Sequence, residues 1–264
     1  MTHSADSVLL SIDAEVAHIR FNRSAALNAM DAEMAGRLRD LVRQAQADGG
    51  VRVFVLSGEG KAFMAGGDLQ AFHADLKHAD DVARAIIDPL NEALLLLATG
   101  DAPVVASVHG AVAGAGMSIA LGADLAIAAH DVKFNMAYAR IGASLDGGGS
   151  WALPRVVGLR RAMSIALLSE SLDAATALDV GIVNRVVPAD ALEAETRTLA
   201  MRLAKGPTHA FGRIRRLLRD GLQRDYAGQL QAERDAFAQG AVTKDFSEGV
   251  NAFFSKRSPV FTGT

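Results

Sequence analysis

Three glycine-rich turns in this sequence could bring backbone groups close to a ligand. They are residues 65–68 (AGGD), 110–116 (GAVAGAG) and 147–149 (GGG), and each follows a strand-like segment. Glycine has no side chain to hold a ligand away, and N–H groups at a helix start carry the positive end of the helix dipole. Two such N–H groups aimed at one carbonyl oxygen form an oxyanion hole, in which one donor contributes about 3 kcal/mol of transition-state stabilisation. Taken singly, each turn is more typical of an ordinary tight turn.

The strands that would hold these turns are predicted from hydrophobic periodicity. Residues 8–21 alternate apolar and polar around a turn at Asp13 and Ala14, which predicts a β-hairpin. Short apolar runs predict buried strands at 51–56 and 103–108. The alternation of strand, turn and helix is typical of an α/β fold with a mostly buried sheet.

Helices are predicted between these strands and after the last glycine turn. Asn28 or Asp31 is expected to cap the first helix, because both are good N-cap residues ahead of apolar positions at helical spacing. The polar residues 73–81 precede an apolar helix and are predicted to form a mobile loop or a frayed helix. An amphipathic helix is predicted around 159–168. Trp151, the only tryptophan, is expected to fill the core or a pocket wall.

The chain is predicted to divide into a main core, residues 1–199, and a C-terminal helical region, residues 200–264. The second part is charged, and four arginines crowd together between residues 213 and 219. Such a cluster is typical of a solvated helix face or of a contact with a neighbouring subunit.

Composition excludes several classes of function. At 264 residues the chain is long enough for one main α/β domain, and it has no cysteine, which excludes disulfides, thiolate catalysis and cysteine-bound metals. The net charge of −3 gives no general attraction to nucleic acid or to an acidic membrane. No apolar stretch approaches the roughly 20 residues that a membrane-spanning helix needs. Residues 1–13 lack the features of a secretory signal, so a cytoplasmic protein is expected.

Four segments of the sequence together resemble successive signature segments of one known family. They are NRSAALNAM (22–30), GEGKAFMAGGDL (58–69), VHGAVAGAGMSIALGADLAIAA (108–129) and SLDAATALDVGIVNRVVP (171–188). The family is the crotonase, or enoyl-CoA hydratase/isomerase, superfamily, and the resemblance extends to the C-terminal EGVNAFFSKRSPVFTG. It implies an α/β fold with a crotonase-type ββα spiral core and a C-terminal helical oligomerisation region, assembled as a homotrimer or a dimer of trimers. The core, residues 1–199, would bind an acyl-CoA thioester.

The resemblance also implies that two backbone N–H groups polarise the thioester carbonyl. Matched motif to motif, the donors are those of Gly67 and Ala115, and Ala115 stands where the family usually has glycine. No metal and no separate cofactor are expected, because coenzyme A is part of the substrate. Arg23 and Lys61 are the candidates for binding its phosphates, and Asp68 is also expected to tie down its own loop. The residues that the resemblance places along the coenzyme A are Arg23, Ala25, Lys61, Ala65, Gly67, Asp68 and Leu69.

The carboxylates of the sequence differ from those of a typical hydratase. Hydratases of the family hold water with two glutamates, and the matching positions here are Ser118 and Tyr138, neither of which is a general base near neutral pH. Asp146 instead stands where isomerases of the family, notably ring-1,2-epoxyphenylacetyl-CoA isomerases, carry an aspartate before paired glycines. An apolar pocket would raise its pKa and make it a better proton shuttle. On the residues alone, Asp146 is more typical of an aspartate that supports the Gly147 turn.

The function that the resemblance implies is therefore acyl-CoA isomerisation. Asp146 would take a proton from a carbon next to, or conjugated with, the thioester, while the Gly67 and Ala115 N–H groups hold the enolate oxygen. Returning the proton elsewhere would shift a double bond or open a ring epoxide. The alternatives within the family are a hydratase-like enzyme and an acyl-CoA-binding paralogue without activity.

Two other enzyme classes share single features with this sequence. The glycines of 110–116 are similar to the nucleotide-binding turn of short-chain dehydrogenases, but no tyrosine is followed by a lysine four residues later. Ser118, His109 and Asp124 supply the residue types of a serine hydrolase, but the sequence has no Gly-x-Ser-x-Gly elbow. His109 is better explained as a packing or hydrogen-bonding residue than as a catalyst.

Overall fold

A computed structural model describes residues 6–264, and the strands in this range form two sheets. The strands are β1 (Val8–Asp13), β2 (Val16–Phe21), β3 (Val53–Gly58), β4 (Ala62–Met64), β5 (Val104–Val108), β6 (Ala111–Ala113), β7 (Leu125–Ala129), β8 (Lys133–Asn135), β9 (Ser171–Asp173) and β10 (Arg185–Val187). The larger sheet has the order β1-β2-β3-β5-β7-β10, and the smaller one has the order β4-β6-β8-β9. Pairing is parallel except between β1 and β2 and between β8 and β9.

Helices connect the strands and form the C-terminal part of the chain. They are α1 (Ala32–Ala47), α2 (Leu69–Ala74), α3 (Ala79–Thr99), α4 (Ala115–Gly122), α5 (Gly149–Val157), α6 (Leu159–Leu168), α7 (Ala174–Asp179), α8 (Leu192–Ala204), α9 (Thr208–Gly221), α10 (Tyr226–Ala241) and α11 (Lys244–Phe254). None of the helices in residues 6–264 is long and apolar enough to cross a membrane.

The chain winds through the two sheets in a repeating order. The pairs β3–β4, β5–β6 and β7–β8 each place their first strand in the larger sheet and their second in the smaller one, and helices follow each pair. This is the predicted ββα spiral, and the α/β fold class is confirmed. The same strand–strand–helix unit occurs three times, so the turns after β4 and β6 lie at equivalent positions in the first two units.

The predicted N-terminal hairpin is present, with its turn one residue later than expected. β1 pairs antiparallel with β2, and Val8 lies opposite Phe21. Ala14 and Glu15 form the turn with φ values of 46° and 67°. Positive φ at both central residues matches the right-handed twist of a two-residue hairpin, which explains the sharp reversal.

Helix α1 begins where one of the two predicted capping residues stands. The side chain of Asp31 accepts a hydrogen bond from the Met34 N–H at 2.8 Å, which satisfies one of the free amides of the first turn. Asn28 does not cap the helix. The predicted strand at 51–56 is displaced to Val53–Gly58, because Val51 and Arg52 come before the ladder begins.

The polar stretch at 73–81 is helical over most of its length. It comprises the end of α2, a single 3-10 turn at Leu76–His78 and the start of α3. A ring nitrogen of His78 lies 2.9 Å from the Asp75 carboxylate, which joins the two ends of the short connection. The interpretation as a loop is therefore wrong, and the helical one is correct.

Helix α9 is fixed to the core through a buried arginine. Arg215 of α9 donates hydrogen bonds to the carbonyls of Leu97, Gly100 and Ala102 and lies 2.7 Å from Asp124. The prediction of a solvated face is wrong for this member of the arginine cluster, because its guanidinium satisfies carbonyls at the end of α3. Helix α8 packs on the larger sheet and runs across the predicted boundary at residues 199 and 200.

Candidate active site

Two adjacent parallel strands place the first two glycine turns side by side. β4 pairs with β6, and Met64 lies opposite Val112 near the ends of the two strands. The 65–68 turn follows β4, and the segment Gly114–Gly116 follows β6. The carboxyl ends of neighbouring parallel strands meet at one edge of a sheet, which is where α/β proteins commonly bind ligands.

The backbones of these two turns are in contact. A Cβ atom at Gly66 would lie 3.4 Å from the carbonyl oxygen of Ala113, and one at Gly114 would lie 3.4 Å from the Gly66 Cα. Gly66 has φ of +111° and Gly114 has φ of +50°, a region that side chains disfavour. Both positions therefore need glycine, and the close approach brings residues 67 and 115 into the same neighbourhood.

The N–H groups of Gly67 and Ala115 are free to bind a ligand. Met30 bridges to the first turn by donating to the Gly66 carbonyl and accepting from the Asp68 N–H, each at 2.8 Å, which leaves the Gly67 N–H unused. Ala115 is the first residue of α4, where an N–H has no acceptor one turn earlier. Neither N–H donates a hydrogen bond within residues 6–264. The geometry is that of two candidate donors at one site.

Three side chains form a hydrogen-bonded cluster next to the second glycine turn. The Tyr138 hydroxyl donates to Oδ1 of Asp146, and the Ser118 Oγ lies 3.3 Å from the Tyr138 oxygen. Ser118 is 0% exposed and Tyr138 is 8% exposed, whereas Asp146 is half-buried. Ser118 and Tyr138, which stand at the positions of the two hydratase glutamates, are therefore linked by hydrogen bonds to the carboxylate of Asp146.

The third glycine run packs against the same cluster. A Cβ atom at Gly147 would lie 3.2 Å from the Cβ of Ser118, and one at Gly149 would lie 2.5 Å from the Ser118 hydroxyl. The Tyr138 ring lies against the second turn, since its Cζ would be 3.9 Å from a Cβ at Gly114. The second and third glycine-rich segments thus contact the Ser118–Tyr138–Asp146 cluster, and the first segment contacts the second.

Burial changes the acid–base properties of the cluster. Burial raises the pKa of Asp146 above its usual value, and the hydrogen bond from the Tyr138 hydroxyl acts in the opposite direction. The pKa of Tyr138 is raised by its own burial and by the neighbouring Asp146 carboxylate. Tyr138 therefore stays protonated, and Asp146 is the member of the cluster whose shifted pKa suits it to accept and return a proton.

Arg23 and Asp68 hold the first glycine turn in place. The Arg23 guanidinium lies 3.0 Å from both Asp31 and Asp68, and it donates to the carbonyl of Ala29. Asp68 also accepts from the Gln70 N–H at 3.0 Å and so caps α2. The expectation that Asp68 ties down its own loop is confirmed. Most N–H groups of the Arg23 guanidinium already donate to oxygen atoms of the protein.

The other residues predicted to contact coenzyme A lie around the same turn. Lys61 and Leu69 are exposed on either side of it, and Ala65 is half-buried within it. Ala25 is exposed in the 3-10 turn Ser24–Ala26. Their contact with coenzyme A stays a prediction.

Sequence reasoning missed the role of Asn28. Its side-chain amide donates to the carbonyls of Glu59, Ala62 and Phe63, and its oxygen accepts from the Arg23 N–H. Asn28 is fully buried and has φ of 57°, a conformation that asparagine tolerates better than most residues. Asn28 therefore fixes the segment before β4 and the first residues of β4. In the sequence, a single asparagine before a helix gives no signal of this role.

The serine hydrolase alternative is not supported by the arrangement of its residues. Ser118 is paired with Tyr138, whereas His109 bonds the Gly60 carbonyl at 3.0 Å and Asp124 pairs with arginines. The hydrogen-bonding role expected of His109 is thus confirmed. Trp151 is 40% exposed and stacks under the guanidinium of Arg155, so the expectation that it fills the core is wrong, and its alternative place in a pocket wall stays a prediction.

Comparison with known proteins identifies the family. The family model described as Enoyl-CoA hydratase/isomerase matches residues 11–264. The chain belongs to the enoyl-CoA hydratase/isomerase family. The crotonase resemblance drawn from four sequence segments is therefore confirmed.

Individual members of the enoyl-CoA hydratase/isomerase family match over their whole lengths. The chain is 37% identical over 257 residues to the 1,2-epoxyphenylacetyl-CoA isomerase of Escherichia coli (strain K12), covering 97% of this chain and 98% of the relative. It is also 37% identical over 260 residues to a probable enoyl-CoA hydratase of Rhodobacter capsulatus, covering 98% of this chain and 99% of the relative. The crystal structure of a putative enoyl-CoA hydratase/isomerase from Mycobacterium abscessus superposes with a TM-score of 0.91 at 37% identity, over 97% of this chain and 100% of that one.

Proposed function

We propose that this family member is an acyl-CoA isomerase that works through a thioester enolate. The observation that carries the proposal is the half-buried carboxylate of Asp146, held by Tyr138 beside two glycine turns with free N–H groups. Gly67 and Ala115 would bind the thioester oxygen, and Asp146 would transfer the proton. This constellation supplies one base and one oxyanion hole, which is the minimum that isomerisation requires.

The reaction moves one proton and adds no atoms. The Asp146 carboxylate takes a proton from a carbon next to, or conjugated with, the thioester, and the electron pair of the broken C–H bond moves onto the thioester oxygen. The N–H groups of Gly67 and Ala115 stabilise that negative charge. The Asp146 carboxylic acid then returns the proton to a different carbon, or to the ring of an aryl epoxide as it opens.

The same cluster argues against hydration. Adding water needs a group that positions and activates the water in addition to the group that handles the carbon-bound proton. Ser118 and Tyr138 stand where hydratases carry that pair of glutamates, and the raised pKa of Tyr138 excludes it as a base near neutral pH. Overall identity does not separate the two activities, because a named isomerase and a probable hydratase match equally well. The residues of the candidate site support isomerisation.

Isomerisation and hydration can be separated in one assay. The purified protein would be given enoyl-, dienoyl- and aryl-epoxide-CoA thioesters in water enriched in oxygen-18, and products would be analysed by mass spectrometry. The proposal predicts isomers of unchanged mass for at least one substrate class. Hydrated product carrying the heavy oxygen as the main product would establish a hydratase, and tight binding without any turnover would establish an inactive paralogue.

The exposed aromatic side chains of the C-terminal helices support the proposed oligomer. Phe237, Phe253 and Phe254 border a groove of about 700 Å³ between α9, α10 and α11. Each of the three is at least 69% exposed in the single chain. A clustered apolar surface of this kind is typical of a subunit interface. We propose that it contacts a second copy of the chain, in a trimer or a dimer of trimers.

Charge substitution in this groove is expected to dissociate the oligomer. Changing both Phe253 and Phe254 to Asp would bury two carboxylates in an apolar contact, so the variant should sediment as a monomer where the wild type sediments as a trimer or larger. Analytical ultracentrifugation measures this, and Leu76→Asp, at an exposed apolar residue outside the groove, is the matched control. A monomeric wild-type protein would contradict the proposal.

A further inference from the structure

We propose that Tyr138 is a positioning residue, which binds one oxygen of the Asp146 carboxylate so that the other faces the substrate. The inference rests on the proposed function, since it assigns a second residue to the same proton transfer. Tyr138 occupies a position where hydratases of the family carry a glutamate, and here it serves the aspartate instead of activating water.

The hydrogen bonds of Asp146 distinguish its two oxygens. Oδ1 accepts from the Tyr138 hydroxyl, and Oδ2 has no hydrogen-bond donor within residues 6–264. The carboxylate is half-buried, so Oδ2 is the oxygen left for a ligand. Tyr138 lies in the 3-10 turn Ala137–Ile141, and its ring packs on Gly114 beside the proposed oxyanion donors. One tyrosine therefore links the base to the second glycine turn.

The cluster has a single consistent direction of hydrogen bonding. An ionised carboxylate only accepts, so the one hydroxyl hydrogen of Tyr138 goes to Asp146. At 3.3 Å, the Ser118 hydroxyl must then be the donor to the tyrosine oxygen. Both hydrogens point toward the carboxylate, and aligned hydrogen bonds of this kind strengthen one another. This row of hydrogen bonds ends at the fully buried Ser118. It therefore supports the carboxylate and does not form a proton path to solvent.

This support suits a base that must return its proton. Isomerisation requires one carboxylate oxygen to reach two different carbons without turning away between the two steps. The bond from Tyr138 fixes the orientation of the carboxylate while Oδ2 gains the proton and loses it again. It also stabilises the ionised form, which limits the rise in the Asp146 pKa that burial causes.

The variant Tyr138→Phe tests this role, since it keeps the ring and removes the hydroxyl. We expect kcat for isomerisation to fall roughly tenfold, because the reacting carboxylate loses a hydrogen bond to its charged group. KM should stay within about twofold, because the lost hydrogen bond does not involve the substrate. The acidic limb of the kcat/KM profile should move to higher pH, since the bond that lowers the Asp146 pKa is gone. Tyr226→Phe is the matched control at the only other tyrosine, which is 80% exposed on α10.

A readout without substrate makes the test independent of turnover. The Asp146 carboxyl would be titrated by carbon-13 NMR of aspartate-labelled protein, with its signal identified by its absence in Asp146→Asn. Its titration midpoint should rise in Tyr138→Phe and rise less in Ser118→Ala, which removes only the outer hydroxyl. If Tyr138→Phe does not fold, as judged by near-ultraviolet circular dichroism, Ser118→Ala alone decides the direction of the shift.

The outcomes separate this inference from the proposed function. An unchanged kcat and an unmoved pH profile in Tyr138→Phe, with Asp146→Asn inactive, would overturn the positioning role and leave the isomerase intact. Full turnover in Asp146→Asn would overturn the proposed function itself. An increase in KM with an unchanged kcat would show that Tyr138 only shapes the pocket, which also contradicts the inference.

Discussion

Replacing Asp146 with asparagine is expected to lower kcat for isomerisation by about a thousandfold while acyl-CoA affinity stays within about threefold. A positioned general acid/base contributes roughly 10² to 10⁴ to the rate, and the amide cannot take the proton. The side-chain oxygen of asparagine can still accept from the Tyr138 hydroxyl, so the shape of the site is kept. Steady-state kinetics give kcat, and calorimetric titration with a substrate analogue gives the affinity.

The matched control for this variant is Asp131→Asn. Asp131 is exposed between β7 and β8, and its substitution makes the same chemical change away from the cluster. Its kcat should equal that of the wild type. Turnover in Asp146→Asn close to the wild-type rate would mean that another group moves the proton, and the assignment of the base would be rejected.

Replacing Gly67 with proline is expected to lower kcat by about a hundredfold to a thousandfold. Proline has no N–H, and removing one oxyanion donor costs on this order in acyl-transfer enzymes. The bridge to Met30 uses the Gly66 carbonyl and the Asp68 N–H, so both of its hydrogen bonds can persist in the variant. The loss should appear in kcat more than in KM, because the charge on the oxygen develops only as the enolate forms.

Gly67→Ala separates the lost donor from the added bulk. No atom lies within 4 Å of the place where its Cβ would stand, so alanine fits there and keeps the N–H. Its kcat is expected to stay within about threefold of the wild type, and circular dichroism would show that both variants fold. Equal losses in the alanine and proline variants would contradict the oxyanion role of this amide.

The parts of the fold that follow local rules could be predicted from the sequence. The β1–β2 hairpin shows clear alternation, and β3 and β5 are short apolar runs, so periodicity places these strands. The expectation that the third glycine run follows a strand is wrong, because the element before it is the 3-10 turn Ala137–Ile141. Helix α5 was not predicted, since it starts at Gly149 and contains Pro154, and both residues are signals of a break. Its first turn packs on Ser118, so tertiary contact outweighs the weak local preference.

The site was predictable where a motif fixes it and unpredictable where side chains meet across the fold. The family resemblance of their turns assigns Gly67 and Ala115, and the pairing of β4 with β6 brings these two turns to one edge of the sheet. Periodicity gives no means of foreseeing that Tyr138 reaches Asp146, since the contact depends on a 3-10 turn and on the packing of the third glycine run. The pairing of Arg23 with two aspartates was hidden for the same reason, because its partners are distant in sequence.

A crystal structure of the Asp146→Asn variant with an unreacted enoyl-CoA would test the central claim most directly. The account predicts that the thioester oxygen lies about 3 Å from the amide nitrogens of both Gly67 and Ala115, with the side chain at residue 146 about 3 to 3.5 Å from the carbon that loses its proton. A thioester oxygen that contacts neither amide, or a residue 146 that faces away from the acyl chain, would contradict it.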